Sequence, residues 1–266
     1  MTQLPEWAPA DLDVTRPSVA RVYDYFLGGA HNFDVDRQLA EAISRAAPDV
    51  VETARANRHF LRRAVRFLTD AGVRQFLDIG SGIPTVGNVH EIAQAAAPDA
   101  RVVYVDIDPI AVAHSRAILR DNPNATVLCI DLRDPAKILA EATVLLDFSQ
   151  PVAVLLAGVL HFLPDSDEPG EVVRQLRDGL APGSYLLISH ATGDGQPPEV
   201  REAQQLTSRA AEITLRTNAE IATYFGPFTL VEPGLVRVGR WRPDPSDEPD
   251  PHPERVAGYA GVGRHG

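Results

Sequence analysis

The residues best suited to chemistry in this chain gather around two glycines. Phe76, Leu77, Asp78 and Ile79 run straight into Gly80, Ser81 and Gly82, which describes a buried strand with one carboxylate ending in a turn. Glycine reaches positive φ and has no Cβ, so Gly80 and Gly82, with Ser81 between them, let the backbone turn sharply and approach a bulky ligand. A second apolar strand at 101–105 ends in Asp106, 24 residues beyond Gly82. That separation lets a βαβ unit place a carboxylate on a ribose. An ionised carboxylate has two acceptor oxygens, enough for both ribose hydroxyls. Asp108 is the rival for that role, although its place before Pro109 suits a helix cap better. The third glycine of the dinucleotide fingerprint is missing, because Thr85 stands there after Pro84. This counts against a NAD-dependent oxidoreductase. It suits a nucleoside ligand with an amino-acid tail and no phosphates, such as S-adenosylmethionine.

Other strand ends extend the same site. Asp78 is expected to accept hydrogen bonds from the turn amides or, through water, from a ligand ammonium. Asp131, ending a third strand, is placed to meet an adenine amino group, with the Leu132 amide toward the ring and Ile107 against one ring face. Ala157 and Gly158 follow a fourth strand, where small residues let the tail and a second reactant meet. His161, His190 and His31 are the candidates where a reactant must lose a proton, His161 reading first as a structural histidine under the ligand. Asn57 and Arg58 either reach the ligand's carboxylate or belong to a solvated basic face with Arg55 and Arg62. A single cysteine, Cys129, excludes an internal disulfide and a cysteine-rich metal site, and its apolar strand suggests a core position. No His/Asp/Glu cluster has metal-binding spacing, and neither a Gly-x-Ser-x-Gly nor a Gly-Lys-Ser/Thr motif is present.

These groups need a scaffold that brings strand ends together. Strands are expected near 75–79, 101–106, 126–130, 152–157 and 184–189, with helices near 86–96, 109–121, 134–141 and 169–180. Near-continuous apolar strands alternating with helices imply a parallel sheet covered on both faces, whose ligand lies at the carboxyl ends where strand order reverses. Ahead of it, Val19, Val22, Tyr23, Phe26 and Leu27 mark one helical face, with Ser18 placed as its cap and Gly28-Gly29 as its stop. Further helices at 34–46 and 50–71 complete an amino-terminal cap. The expected division is 1–72 for arm and cap and 73–266 for the core. After the fifth strand a helix is expected from Pro198 to Arg216, then a strand at 228–232 and an exposed excursion from Pro243 to Pro253.

The 266 residues carry a net charge of -11 with 44% hydrophobic residues. This suffices for one sizeable α/β domain with additions. The charge disfavours nonspecific nucleic-acid or anionic-membrane binding. The amino terminus lacks a basic stretch followed by an apolar run, and no stretch is apolar enough to span a membrane. A cytoplasmic protein is expected, with no nucleic-acid partner and an oligomeric state left open.

Arg-Val-Tyr-Asp-Tyr-Phe-Leu-Gly-Gly at 21–29, Asp78–Gly82, Val103–Pro109, Leu160–Leu163 and Pro182–Tyr185 together resemble the class I S-adenosylmethionine-dependent methyltransferases. The amino-terminal stretch points to a narrower actinobacterial family of unassigned substrate. The resemblance implies a Rossmann-like, doubly wound, mostly parallel seven-stranded sheet with an antiparallel last strand. That strand would come from Val256, Tyr259 and Val262, with Leu235 to Trp241 as rival. It also implies S-adenosylmethionine as cofactor and S-adenosylhomocysteine as product, held by Asp78, Gly80, Ser81, Gly82, Asp106, Ile107, Asp131, Leu132, Ala157 and Gly158. A small-molecule methyl acceptor is preferred, and a noncatalytic sensor of the cofactor is the alternative.

Overall fold

Alternating apolar residues on five strands send side chains to both faces of one sheet, and each face has its own core. The computed structural model describes residues 15–84, 87–195, 204–244 and 255–266. Most of the amino-terminal arm, Thr85, the start of the expected 198–216 helix and most of the 243–253 excursion lie outside the described residues. The parallel strands are β1 (Gln75–Ile79), β2 (Arg101–Asp106), β3 (Ala125–Cys129), β4 (Ala153–Ala157) and β5 (Tyr185–Ala191). Two-residue strands β6 (Thr229–Leu230) and β7 (Val236–Arg237) precede β8 (Gly258–Arg264), which runs antiparallel to β5, β6 and β7. The order is β3-β2-β1-β4-β5-β8-β6, with β7 also on β8. Among the described residues the sheet holds eight strands, the expected seven and the two-residue β7. Both rival segments enter it, 256–262 supplying most of the long antiparallel strand and 235–241 the short β7.

The strand order reverses between β1 and β4, which opens a crevice at their carboxyl ends. One face is covered by α3 (Val50–Asp70), α4 (Val89–Ala96) and α5 (Pro109–Ile118), packing Phe60, Ala64, Leu68, Val89 and Val112 on Phe76, Val102 and Leu155. The other is covered by α6 (Pro135–Ala142) and α7 (Pro169–Asp178), with Ile138, Val173 and Leu176 on Leu77, Val103 and Val154. The glycines of β8 admit aromatic cover: a Cβ on Gly263 would lie 2.8 Å from Phe225 Cδ1.

Helices α1 (Val19–Phe26) and α2 (Asp34–Ala46) form a separate layer around Val22, Phe26, Leu39, Ala40 and Ile43, with Ala54 of α3 beneath and Leu206 and Ala210 alongside. A buried pair, Arg21 Nε to Asp36 Oδ2 at 2.9 Å, joins the two helices. Ser18 stands at the N-cap position but makes no side-chain cap bond there; its hydroxyl donates to Asp108 of the β2–α5 turn. Phe33 meets Ile83, Ile110 and Ala111, so the cap rests on the glycine loop and on α5.

Two expectations need correction. The helix expected to reach Arg216 persists only over 204–207 of the described residues, and 212–217 is not helical. There the backbone is drawn onto the strand ends, with Thr214 N donating to His161 O and Arg216 N to Ala191 O. Tertiary hydrogen bonds thus override a helix-favouring composition. Cys129 is exposed rather than in the core, because β3 is the sheet's edge and Cys129 is its last residue. No helix among the described residues is long and apolar enough to cross a membrane.

Candidate functional site

The turn after β1 is closed by β2. Gly80 N and Ser81 N donate to Val105 O at 2.8 and 3.3 Å, and Gly82 N donates to Asp106 Oδ2 at 2.7 Å. Gly80 and Gly82 have φ of +73° and +66°, where an L side chain costs about 1–2 kcal/mol. Their surroundings differ. A Cβ on Gly80 would strike Val159 Cγ2 at 2.3 Å, whereas nothing among the described residues lies within 4 Å of one on Gly82. Gly80 therefore serves close packing against the β4 loop, and Gly82 borders open ground.

Asp78 is 5% exposed. Burial pushes its carboxyl up to about 7, with Arg58 opposing and Asp106 adding to the rise. The amides expected on Asp78 go to Val105 O and to Asp106 instead. Asp78 shares a small cleft, open to solvent, with Arg58, Ser81, Gly82, His90 and Tyr104. The Tyr104 hydroxyl there accepts from His90 N at 2.8 Å.

Asp106 spends one lone pair of each oxygen on the protein, Oδ2 on Gly82 N and Oδ1 on Asp108 N at 2.8 Å. The Ile107 amide also donates to this carboxylate, so about one of its four acceptor sites remains. Burial raises this carboxyl, and the amides of Asp108 and Gly82 pull it back. Asp108 caps α5 through Ile110 N at 2.8 Å, the role its place before Pro109 suggests. Ile107 is 60% exposed, an apolar platform beside Asp106. Asp131 turns to its own loop, accepting from Arg133 N at 2.9 Å and pairing with Arg133 Nη1 at 3.1 Å. Leu132 is buried, and Gly158 has φ of +76° with its amide on Ser189 O at 3.1 Å.

The three histidines are not gathered in one place. His161 and His190 have ring centroids 5.6 Å apart, while His31 lies under the cap, 3.9 Å from the ring of His114. His190 has both nitrogens engaged: Nδ1 donates to Ala191 O at 2.7 Å, and Nε2 accepts from Arg216 Nη1 at 3.1 Å. Burial lowers its pKa to about 4, and the Arg216 cation adds to that. His161 is lowered well below 6.5 by burial, then by His190 and Arg216, and its Nδ1 is buried with no hydrogen-bond partner among the described residues.

Sequence reasoning missed two arrangements. Ser189 Oγ donates to Asn57 Oδ1 at 2.6 Å, Asn57 Nδ2 to the Tyr23 hydroxyl at 3.2 Å, and that hydroxyl to Ala54 O at 3.0 Å. Cap, α3 and β5 thus meet in one buried chain of polar groups. The only sequence signal was an asparagine on an otherwise basic helical stretch. Arg216, 5% exposed, binds Leu160 O, Leu163 O at 2.9 Å and Asp165 Oδ1 at 2.7 Å as well as His190. It ties the loops after β4 and β5 together.

Known proteins share this architecture. The solved structure of a Thermobifida fusca protein described as a candidate methyltransferase is 45% identical and overlays with a TM-score of 0.92, over 98% of this chain and 99% of that one. A DUF574 family protein of Streptomyces avermitilis is 40% identical, also with a TM-score of 0.92, over 96% of this chain and 99% of that one. The N-methyltransferase NodS of Bradyrhizobium japonicum, in complex with S-adenosyl-L-homocysteine, shares the fold at 14% identity with a TM-score of 0.50, over 86% of this chain and 97% of that one. Ribosomal RNA small subunit methyltransferase H of Halorhodospira halophila is 33% identical over 93 residues, a stretch covering 35% of this chain and only 28% of that protein. Residues 5–266 match the S-adenosyl methyltransferase family, and the chain belongs to it.

Proposed function

We propose that the protein binds S-adenosylmethionine at the carboxyl ends of β1 to β4 and transfers its methyl group to a small molecule that enters beneath α1 and α2. The observation that carries this reading is the space open at Gly82 among the described residues, bordered by the Asp106 carboxylate and by an exposed isoleucine. These residues fit the cofactor. Gly82 would admit it, Asp106 would accept from the ribose, Ile107 would offer one face to adenine, and Ala157 and Gly158 would leave room at the tail and acceptor end. Asp131 would have to release Arg133 to meet the adenine amino group. The bound cofactor would supply an electrophilic sulfonium methyl.

The chain's own contribution is mainly positioning, since an in-line displacement depends on holding the acceptor near attack distance. The cap, seated on Ile83, Ile110 and Ala111 through Phe33, excludes water from that space. In this reading residues 1–72 carry the lid and 73–266 the cofactor platform, with α3 as their common wall. His161, held neutral, is the histidine left to accept a proton where the acceptor must lose one. The charge of -11 favours a small acceptor over a nucleic acid.

Calorimetry with S-adenosylmethionine, S-adenosylhomocysteine and NAD tests the cofactor. Tight NAD binding without binding of either sulfur ligand would refute the reading. Release of S-adenosylhomocysteine in the presence of pooled small-molecule acceptors separates enzyme from sensor, because a sensor binds but never turns over.

A further inference from the structure

The amino-terminal cap is seated along one side of α5. Ser18 donates to Asp108 at the helix's amino end, Phe33 meets Ile110 and Ala111, and His31 meets His114 one turn further on. The last of these contacts is the one that can change charge. Its two imidazoles have centroids 3.9 Å apart with planes tilted by 58°, and His114 is 9% exposed.

His31 belongs to the segment between α1 and α2, and that segment is braced. Asp24, 1% exposed, accepts from His31 N and from Asn32 Nδ2 through one oxygen, each at 2.9 Å. A Cβ on Gly29 would fall 2.0 Å from the other oxygen, so glycine makes room for the carboxylate beneath the turn. Arg37 Nη1 donates to Asn32 O at 2.9 Å from the α2 side. The His31 ring therefore moves with the cap.

A proton on His114 would meet three influences. Burial opposes the charge most, the facing His31 opposes it further, and Asp24 of α1 favours it; the balance lowers His114 from 6.5 to about 4. Other charges of the cap have partners of their own, Arg21 with Asp36 and Arg37 with Asp34. On the side of α5, Asp108 takes the Ser18 hydroxyl and caps the helix. Lifting the cap would return His114 to water and to its ordinary value, so the open form would bind a proton that the closed form rejects.

We propose that the contact between His31 and His114 is a proton-sensitive latch: protonation of His114 unseats the cap and opens the crevice at the strand ends to exchange of its ligands. The latch goes beyond methyl transfer and does not depend on which ligand the crevice takes. Its size follows from the two states of His114. With 6.5 in the open form and about 4 in the closed form, the open-to-closed ratio rises about tenfold between pH 8 and pH 5.5.

Hydrogen exchange of the full chain at pH 8 and pH 5.5, corrected for the intrinsic pH dependence of amide exchange, tests the latch. Amides of α1 and α2 should lose about tenfold in protection relative to those of β1 and β4. His114→Phe keeps a ring in the contact and His114→Gln keeps a polar group, and neither can titrate. In both variants the relative loss should vanish. Cap protection that is indifferent to pH, or that falls in step with the sheet, overturns the proposal. So does a relative loss of the same size that persists in either variant.

Discussion

Asp78→Asn should change how stability depends on pH while leaving side-chain volume almost unchanged. Burial raises the Asp78 carboxyl from 3.8 to about 7. Each pKa unit is worth about 1.36 kcal/mol, so ionising this group inside the fold costs about 4 kcal/mol. The sign follows from proton counting. Between pH 4 and 7 the folded chain holds a proton at Asp78 that the unfolded chain has lost, so this group's contribution to stability falls as pH rises through that window. Above about pH 7 the loss is complete. His190 and His114, both lowered to about 4, act oppositely, because the folded chain holds fewer protons on them than the unfolded chain between pH 4 and 6.5. Their contributions cancel when variant and wild type are compared at each pH. Urea unfolding of both proteins from pH 4 to 8 should therefore show the variant gaining on the wild type by about 4 kcal/mol across the range. A difference constant to within about 1 kcal/mol would refute the argument that Asp78 is a desolvated, titrating group. A ligand ammonium beside Asp78 should restore its charge, so binding at pH 6.5 should release protons, seen as buffer-dependent heats.

Gly82→Ala should cost about 1–2 kcal/mol in thermal or urea unfolding and also weaken S-adenosylhomocysteine binding. Gly72→Ala, at φ +92° with nothing nearby, should cost the same stability and leave binding intact, so equal binding losses in the two variants would remove the argument for Gly82. Arg216→Met should destabilise by about 2–4 kcal/mol by leaving buried acceptors unpaired. The same change should raise the pKa of His190 by removing a neighbouring cation, readable by NMR titration. Cys129 should react with iodoacetamide in the folded protein at a rate close to that of a free thiol, and protection until unfolding would contradict its exposed edge position.

The glycine turn, the Asp106 strand end and the parallel strands were legible because each depends on residues close together in sequence. A run of apolar residues stopping at Gly80 carries its own explanation. The two-sided burial of β1, β2, β4 and β5 also followed from their composition. What escaped detection depends on distant partners. Ser189 and Asn57 are 132 residues apart, and nothing around either residue announces the other. Arg216 looked like the end of a helix because local propensity ignores the carbonyls of Leu160 and Leu163 that capture it. Asp131, expected to end the third strand, lies two residues past the end of β3, and Arg133, two residues on, claims its carboxylate. Cys129 seemed a core residue because sequence alone could not show that β3 is the sheet's edge.

Strand β8 has a consequence for how this chain reaches its native state. It follows every other strand in sequence, yet it lies inside the sheet, with β5 on one side and β6 and β7 on the other. Tyr185 must find Arg264, and Ala191 must find Gly258, across a long intervening segment. Until then β5 has an unpaired edge, and β6 and β7 have no described strand to hold them. Assembly of this half of the sheet should therefore be late and slow relative to the β1–β4 half, as non-local pairing generally is. In that interval the open edge of β5 is where nascent molecules are most apt to stick to one another.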